Sequence, residues 1–155
     1  MANAYVSITG PAMSTLVYLS ATSPIVEKEV DFIESHPPLV KLASKVLRLQ
    51  DDLGTATDEL KRGDVLKAVQ CYMNETGCSE EAGREHIQQL TRQWWKKLNL
   101  LRTSKNSPIP KNITEMILNL ARSSHLVYLH GEDGHGVEGQ VIMNVMTSML
   151  LQPIP

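Results

Sequence analysis

One long run, from Pro38 to Arg62, constrains the fold more than any other part of the chain. Its apolar residues recur three, four or seven positions apart and form one stripe, namely Leu42, Val46, Leu49, Leu53 and Leu60. A helix with a single apolar stripe must bury that stripe against other elements. Elsewhere valine, isoleucine and threonine do not alternate with polar residues for long, and no Asn-Gly or Asp-Gly pair joins two strand-like runs. The sequence therefore predicts an all-α bundle.

Capping and breaking residues divide the rest of the chain into further helices. An apolar segment over 2–20 should break or kink at Gly10-Pro11, and a short helix is expected over 26–34. Gly63 should end the long helix and Asp64 should cap the next one, over 65–76. Ser79 should cap a helix that continues to about 102. A helix opened by Pro110 and a final one over 138–152 complete the prediction. Because the chain starts inside a predicted helix, we expect it to begin within a domain.

Composition excludes several classes of protein. The chain of 155 residues is long enough for one domain, and its net charge of −2 gives no reason to expect nucleic acid or an anionic membrane as partner. No apolar run reaches the roughly 18 residues that span a bilayer, and the start lacks the features of a signal or transit peptide. Two cysteines, Cys71 and Cys78, make no disulfide framework, and we expect both to be buried thiols.

Oxygen-bearing side chains recur along one face of the long helix. At about 100° per residue, Asp51, Thr55 and Glu59 lie at roughly 0°, 40° and 80°. Carboxylate and hydroxyl oxygens are the ligands that Mg²⁺ or Mn²⁺ prefers, and Arg48 lies within the same arc, where a guanidinium can grip phosphate. Gly54 costs about 1 kcal/mol relative to alanine inside a helix, so it should have a packing reason.

Simpler interpretations remain open at this stage. The leucine stripe lies opposite the acidic row, so an ordinary solvated helix face would have the same pattern. His130 and His135 could suggest zinc, but no cysteine lies near them. Trp94 and Trp95 are expected to pack in the interior. The recurring methionines, Met143, Met146 and Met149, are expected to form a core stripe.

The acidic segment resembles a known motif. "LQDDLGTATDELKRGDVLKAVQCYMNE" is similar to the second metal-binding motif of class I plant terpene synthases, (N/D)Dxx(S/T)xxxE, and to the segment that follows it. "SITGP", "SEEAGREHI", "WWKKLN", "NLARSSHLVYLHGEDGHG" and "LLQPIP" agree with the family in the same order, so the resemblance covers essentially the whole chain. It is greatest to angiosperm monoterpene synthases. The resemblance implies that residues 1–155 form the C-terminal half of the α-helical catalytic domain.

The resemblance also implies roles for particular residues. Asp51, Thr55 and Glu59 would bind one Mg²⁺ of a three-metal cluster, and Arg48 and Lys67 would contact the substrate diphosphate. Asp52 and Asp58 would be bystanders. The break around Ser7, Thr9 and Gly10 would expose backbone carbonyls to a carbocation. The loop "YLHGEDGHG" would be a lid, with Tyr128 lining the cavity and Asp133 near the metal row, although the additional Glu132 competes for that assignment.

The implied chemistry is ionisation of a prenyl diphosphate, with geranyl diphosphate as the expected substrate, followed by carbocation rearrangement in an apolar pocket. The DDxxD motif that holds the other metals is absent from this sequence, so we expect the chain alone to be inactive. A sesquiterpene synthase acting on farnesyl diphosphate and a non-catalytic helical interaction module are the alternatives. A prenyl chain-elongating enzyme is disfavoured because it uses two DDxxD motifs. A monoterpene synthase would work in plastids and a sesquiterpene synthase in the cytoplasm; oligomeric state and product remain open.

Overall fold

The structure is a computed structural model that describes residues 3–63, 65–104, 107–128 and 140–151, except for the side chains of 57–62, 140–142 and 149–150. The described residues form α1 (Ala4–Ser7), α2 (Gly10–Ala21), α3 (Glu27–Glu34), α4 (Pro38–Arg62), α5 (Ala68–Thr76), α6 (Glu80–Arg102), α7 (Lys111–Tyr128) and α8 (Gln140–Leu151). The all-α prediction is confirmed. None of these helices is long and apolar enough to cross a membrane.

The apolar stripe of α4 lies at the centre of the bundle. Val40, Ala43 and Val46 are fully buried against residues such as Ile113 and Ile117 of α7. Further along the same stripe, Leu49 is buried in a second cluster with residues of α5 and α6. Other helices cover α4 on several sides, so their positions depend on its side chains. Any site built on α4 therefore has a rigid base.

The predicted break in the first helical segment is confirmed. α1 ends at Ser7 and α2 begins at Gly10, with Thr9 between them in the left-handed conformation at φ 63°. A Cβ atom on Gly10 would lie 2.1 Å from the Oγ of Ser44 in α4. Glycine is therefore required here, because α2 approaches the backbone of α4 more closely than any side chain would allow.

Helix ends agree with the capping residues except at α5. Gly63 and Gly77 have positive φ angles, as expected for glycines that follow helices, and the Ser79 hydroxyl accepts a hydrogen bond from the N–H of Ala82. The predicted start of α5 at 65 is wrong, because the helix begins at Ala68. The N–H of Ala68 donates to Asp52 in α4, so a distant carboxylate caps this helix. Asp64, the predicted cap, lies outside the described residues.

Two expectations about burial are wrong. Cys71 is exposed and Cys78 is half-buried. Met143 and Met146 are 57% and 46% exposed, so they form no core stripe; the side chain of Met149 lies outside the described part. Apolar periodicity identifies a face of a helix but not the element that would cover it. The packing role of Trp94 and Trp95 is confirmed, since both rings lie against the main core cluster.

Candidate metal and diphosphate site

The predicted oxygen row lies on the middle of α4. Asp51 is half-buried, and Thr55 is buried with its hydroxyl donating to the Asp51 carbonyl at 2.9 Å. That bond holds the Thr55 side chain in one rotamer, with its oxygen on the same helix face as Asp51. The side chain of Glu59 lies outside the described residues. Among side chains that are described, no three His, Cys, Asp or Glu residues form a group that could hold a metal.

The two predicted diphosphate contacts meet at a buried carboxylate. Asp52 receives the Arg48 guanidinium at 2.7 Å (Nη2 to Oδ1) and the N–H of Ala68 at 3.0 Å. Lys67, the residue before Ala68, is close enough to act electrostatically on the same carboxylate. Burial raises the pKa of Asp52 above its ordinary value, while Arg48 and Lys67 act in the opposite direction. Asp52 therefore pairs with Arg48 of α4 and lies near Lys67, which immediately precedes α5.

Asp52 was expected to be a bystander, but it is not a solvated residue. Asp52 is 3% exposed, and it lies one turn after Arg48 on the same helix. The i,i+4 spacing of Arg48 and Asp52 was visible in the sequence and could have suggested the pair. The Nε of Arg48 is buried and has no hydrogen-bond partner among the described atoms, so this guanidinium retains capacity for an anion.

Gly54 has the packing reason that its sequence position required. A Cβ atom at this position would lie 3.0 Å from Cδ1 and 3.2 Å from Cβ of Tyr128 in α7. The absence of a side chain lets the Tyr128 ring lie directly against α4 at position 54. This contact places Tyr128 next to the residue that precedes Thr55 in the sequence; its predicted role in lining a cavity stays a prediction.

Side chains from α5 and α6 hold the carbonyl groups of the same segment. Arg84 Nη1 donates to the Leu53 carbonyl at 3.1 Å, and Gln70 Nε2 approaches the Ala56 carbonyl at 3.5 Å. Sequence reasoning missed both residues, because a side chain that binds a backbone carbonyl of another helix leaves no motif. These contacts fix the rotation of α4, which determines the direction of the oxygen row.

The helix break offers a single carbonyl. Pro11 has no N–H, so the carbonyl of Ser7, four residues earlier, has no helical donor. The carbonyl of Ile8 accepts from the Thr9 hydroxyl, and that of Gly10 accepts from the Ser14 hydroxyl at 2.9 Å. Among the described residues at the break, the carbonyl that lacks a donor is therefore that of Ser7.

Several predicted positions lie outside the described residues. These are Asp133, the competing Glu132, and the histidines of the weaker zinc interpretation, His130 and His135. The residues that are described fit a hard divalent cation. Asp51 and Thr55 present a carboxylate and a hydroxyl on one helix face, and Arg48, one turn before Asp51 on the same helix, suits an anionic ligand of the metal.

Comparisons with known proteins show which sequences and structures this chain is similar to. Residues 1–97 match the sequence model described as "Terpene synthase family, metal binding domain". A chloroplastic myrcene synthase of Quercus ilex is 47% identical over 99% of this chain and 25% of its own length. A limonene synthase solved with 2-fluorolinalyl diphosphate has a TM-score of 0.88 at 40% identity, covering 99% of this chain and 28% of that one.

An isoprene synthase from Populus x canescens, solved with three Mg²⁺ ions and dimethylallyl-S-thiolodiphosphate, has a TM-score of 0.84 at 30% identity. The match covers 99% of this chain and 29% of that one. The chain thus spans about a quarter of the length of the curated relatives it matches.

Proposed function

Because the chain belongs to the terpene synthase family, we propose that it forms the C-terminal part of the catalytic domain of a Mg²⁺-dependent enzyme that ionises a prenyl diphosphate. One observation carries the proposal: the buried Arg48–Asp52 ion pair lies beside the Asp51–Thr55 row, with Lys67 near the same carboxylate. A helix face that was merely solvated would not need two cations gathered beside its carboxylates. This favours the enzyme over a non-catalytic helical module.

Each group has a distinct part in the proposed ionisation. Asp51 and Thr55, with Glu59, would hold a divalent cation, which when bound would supply Lewis-acid stabilisation of the leaving diphosphate. Arg48 donates its remaining N–H groups to diphosphate oxygens, and Lys67 adds a second positive charge. The Asp52 carboxylate forms an ion pair with Arg48 through Oδ1 and accepts the Ala68 N–H through Oδ2, so it holds the Arg48 guanidinium beside the start of α5.

The organic part of the substrate meets different surroundings. Tyr128 places an aromatic ring next to the metal row, where it excludes water and faces the developing carbocation. The Ser7 carbonyl provides a dipole that stabilises positive charge. Asp133 and the loop around it are proposed to close over the bound substrate.

We propose geranyl diphosphate as substrate and a plastid as location. Support comes from the relatives, among them the chloroplastic myrcene synthase of Quercus ilex. Farnesyl diphosphate with a cytoplasmic location is the second candidate. Mn²⁺ is an alternative cation, since the oxygen ligands suit either ion.

The substrate proposal is tested with the full-length protein of which this chain is a part. Purified enzyme is incubated with geranyl or farnesyl diphosphate and Mg²⁺, and the products are analysed by gas chromatography. We expect monoterpenes from geranyl diphosphate; sesquiterpenes alone would establish the second candidate, and no product from either would favour the non-catalytic module. The 155-residue chain should give no terpene, because it lacks a DDxxD motif.

The metal role is tested by Asp51→Asn and Thr55→Val, which preserve side-chain shape. Each should raise the Mg²⁺ concentration for half-maximal activity by about 10-fold or more, because a coordinating oxygen is lost or weakened. Asp31→Asn, on the exposed face of α3, is the matched control and should leave it unchanged. Unaltered Mg²⁺ dependence in both site variants would refute the assignment.

A further inference from the structure

A buried polar pair interrupts the apolar interface between α4 and α7. Gln50 and Ser124 are 6% and 3% exposed, and the Ser124 hydroxyl lies within hydrogen-bond distance of Gln50 Oε1. Gln50 Nε2 lies 2.9 Å from Nδ1 of His125. Gln50 directly precedes Asp51, so this contact joins α7 to the metal row.

Proton counting shows that the network can be fully satisfied. The Ser124 hydroxyl has one proton but two acceptors within reach, Gln50 Oε1 and the Ala121 carbonyl at 2.8 Å. If the hydroxyl donates to Ala121, the Gln50 amide nitrogen can donate to Ser124 and its oxygen can accept from His125. Both orientations of the amide keep the three side chains connected, so the heavy-atom geometry is what matters.

A second contact, one helical turn further along both helices, joins residues with the same separation in the sequence. Gln50 and Ser124 are 74 residues apart, as are Gly54 and Tyr128, whose ring lies against α4. The two helices therefore run side by side in the same direction with matching turns at these positions. A slide of one residue, about 1.5 Å, would break the hydrogen bonds, whereas apolar contacts tolerate such shifts.

On the basis of the proposed function, we propose that Gln50 and Ser124 are positioning residues that set the register of α7 against α4. They thereby fix the Tyr128 ring relative to Asp51 and Thr55. This register determines from which direction the Tyr128 ring shields the carbocation. It therefore also determines the ratio of products. A buried polar pair between packed helices is suited to the task, because its geometry is stricter than that of apolar packing.

The test uses Gln50→Leu and Ser124→Ala in the full-length protein. Either variant should change the share of the main product by about twofold or more, equivalent to about 0.4 kcal/mol between competing barriers. The double variant should not differ from Gln50→Leu, because that change already removes the contact with Ser124. Thr91→Val is the control, since the buried Thr91 hydroxyl donates to the Ile87 carbonyl of its own helix, at 2.8 Å, and to no other group in the described part of the chain.

Crystal structures of the same variants separate this inference from the proposed function. The Tyr128 ring should be displaced from position 54 in Gln50→Leu and Ser124→Ala but not in Thr91→Val. An unmoved ring, or an unchanged product ratio in an active enzyme, overturns the inference. A wild-type protein without terpene synthase activity defeats the proposed function, while the crystallographic comparison still decides the register. If Gln50→Leu does not fold, Ser124→Ala decides it alone.

Discussion

Replacing Gly54 by alanine adds one methyl group where α4 meets α7. The new Cβ would lie 3.0 Å from the ring atom Cδ1 of Tyr128 and 3.2 Å from its Cβ. Rotation of the ring relieves the first contact but not the second, because the Cβ of Tyr128 is fixed to the backbone of α7. The two helices must therefore separate by a few tenths of an ångström.

Two effects of opposite sign determine the stability of this variant. Alanine gains about 1 kcal/mol over glycine inside a helix, whereas overpacking of a filled interface costs about 1–3 kcal/mol. Gly54→Ala should therefore lower the free energy of unfolding by about 0–2 kcal/mol. Gly83→Ala is a matched control, since its Cβ would approach the flexible side chain of Met73 at 3.2 Å. Met73 can move, so this control should retain most of the helix gain.

Thermal unfolding and product analysis of the two variants in the full-length protein test the reasoning. The melting temperature of Gly54→Ala should fall below that of Gly83→Ala, with a difference equivalent to about 1–3 kcal/mol. Only Gly54→Ala should alter the product ratio, because only its methyl group displaces Tyr128. Equal stabilisation by both substitutions, with unchanged products, would refute the close approach of α7 to α4.

Two further predictions concern ion pairs. Asp52→Ala should destabilise the protein by about 2 kcal/mol and Asp52→Asn by less, because asparagine still accepts from Ala68; equal losses in melting temperature would contradict this. Hydrogen bonds from Arg102 and Arg122 lower the pKa of Glu115, although burial acts in the opposite direction. The native pKa is then below the unfolded one, so these pairs stabilise above pH about 4.5 and lose their effect as pH falls through the native pKa. The difference in melting temperature between wild type and Glu115→Gln should vanish below the native pKa of Glu115. A difference that does not change with pH would contradict stabilisation by these ion pairs.

Much of the fold was predictable because its signals are local. The α4 stripe, the glycines that end helices and the Ser79 cap act within a few residues of themselves, and the structure has these features where they were predicted. The start of α5 was not predictable in this way. Its first N–H is satisfied by Asp52, a residue on another helix, and that proximity arises only when α4 and α5 pack together.

The candidate site divides in the same manner. The row of Asp51, Thr55 and Glu59 on α4 follows from the amino-acid sequence, because helical periodicity places residues four apart on one face.

Helix packing, in contrast, accounts for the contact of Asp52 with the start of α5, for the position of Tyr128 over Gly54 and for the bond between Gln50 and α7. Each of these contacts joins different parts of the fold, and its geometry is set by how closely and in which register the helices pack. Periodicity carries no information about that distance or that register.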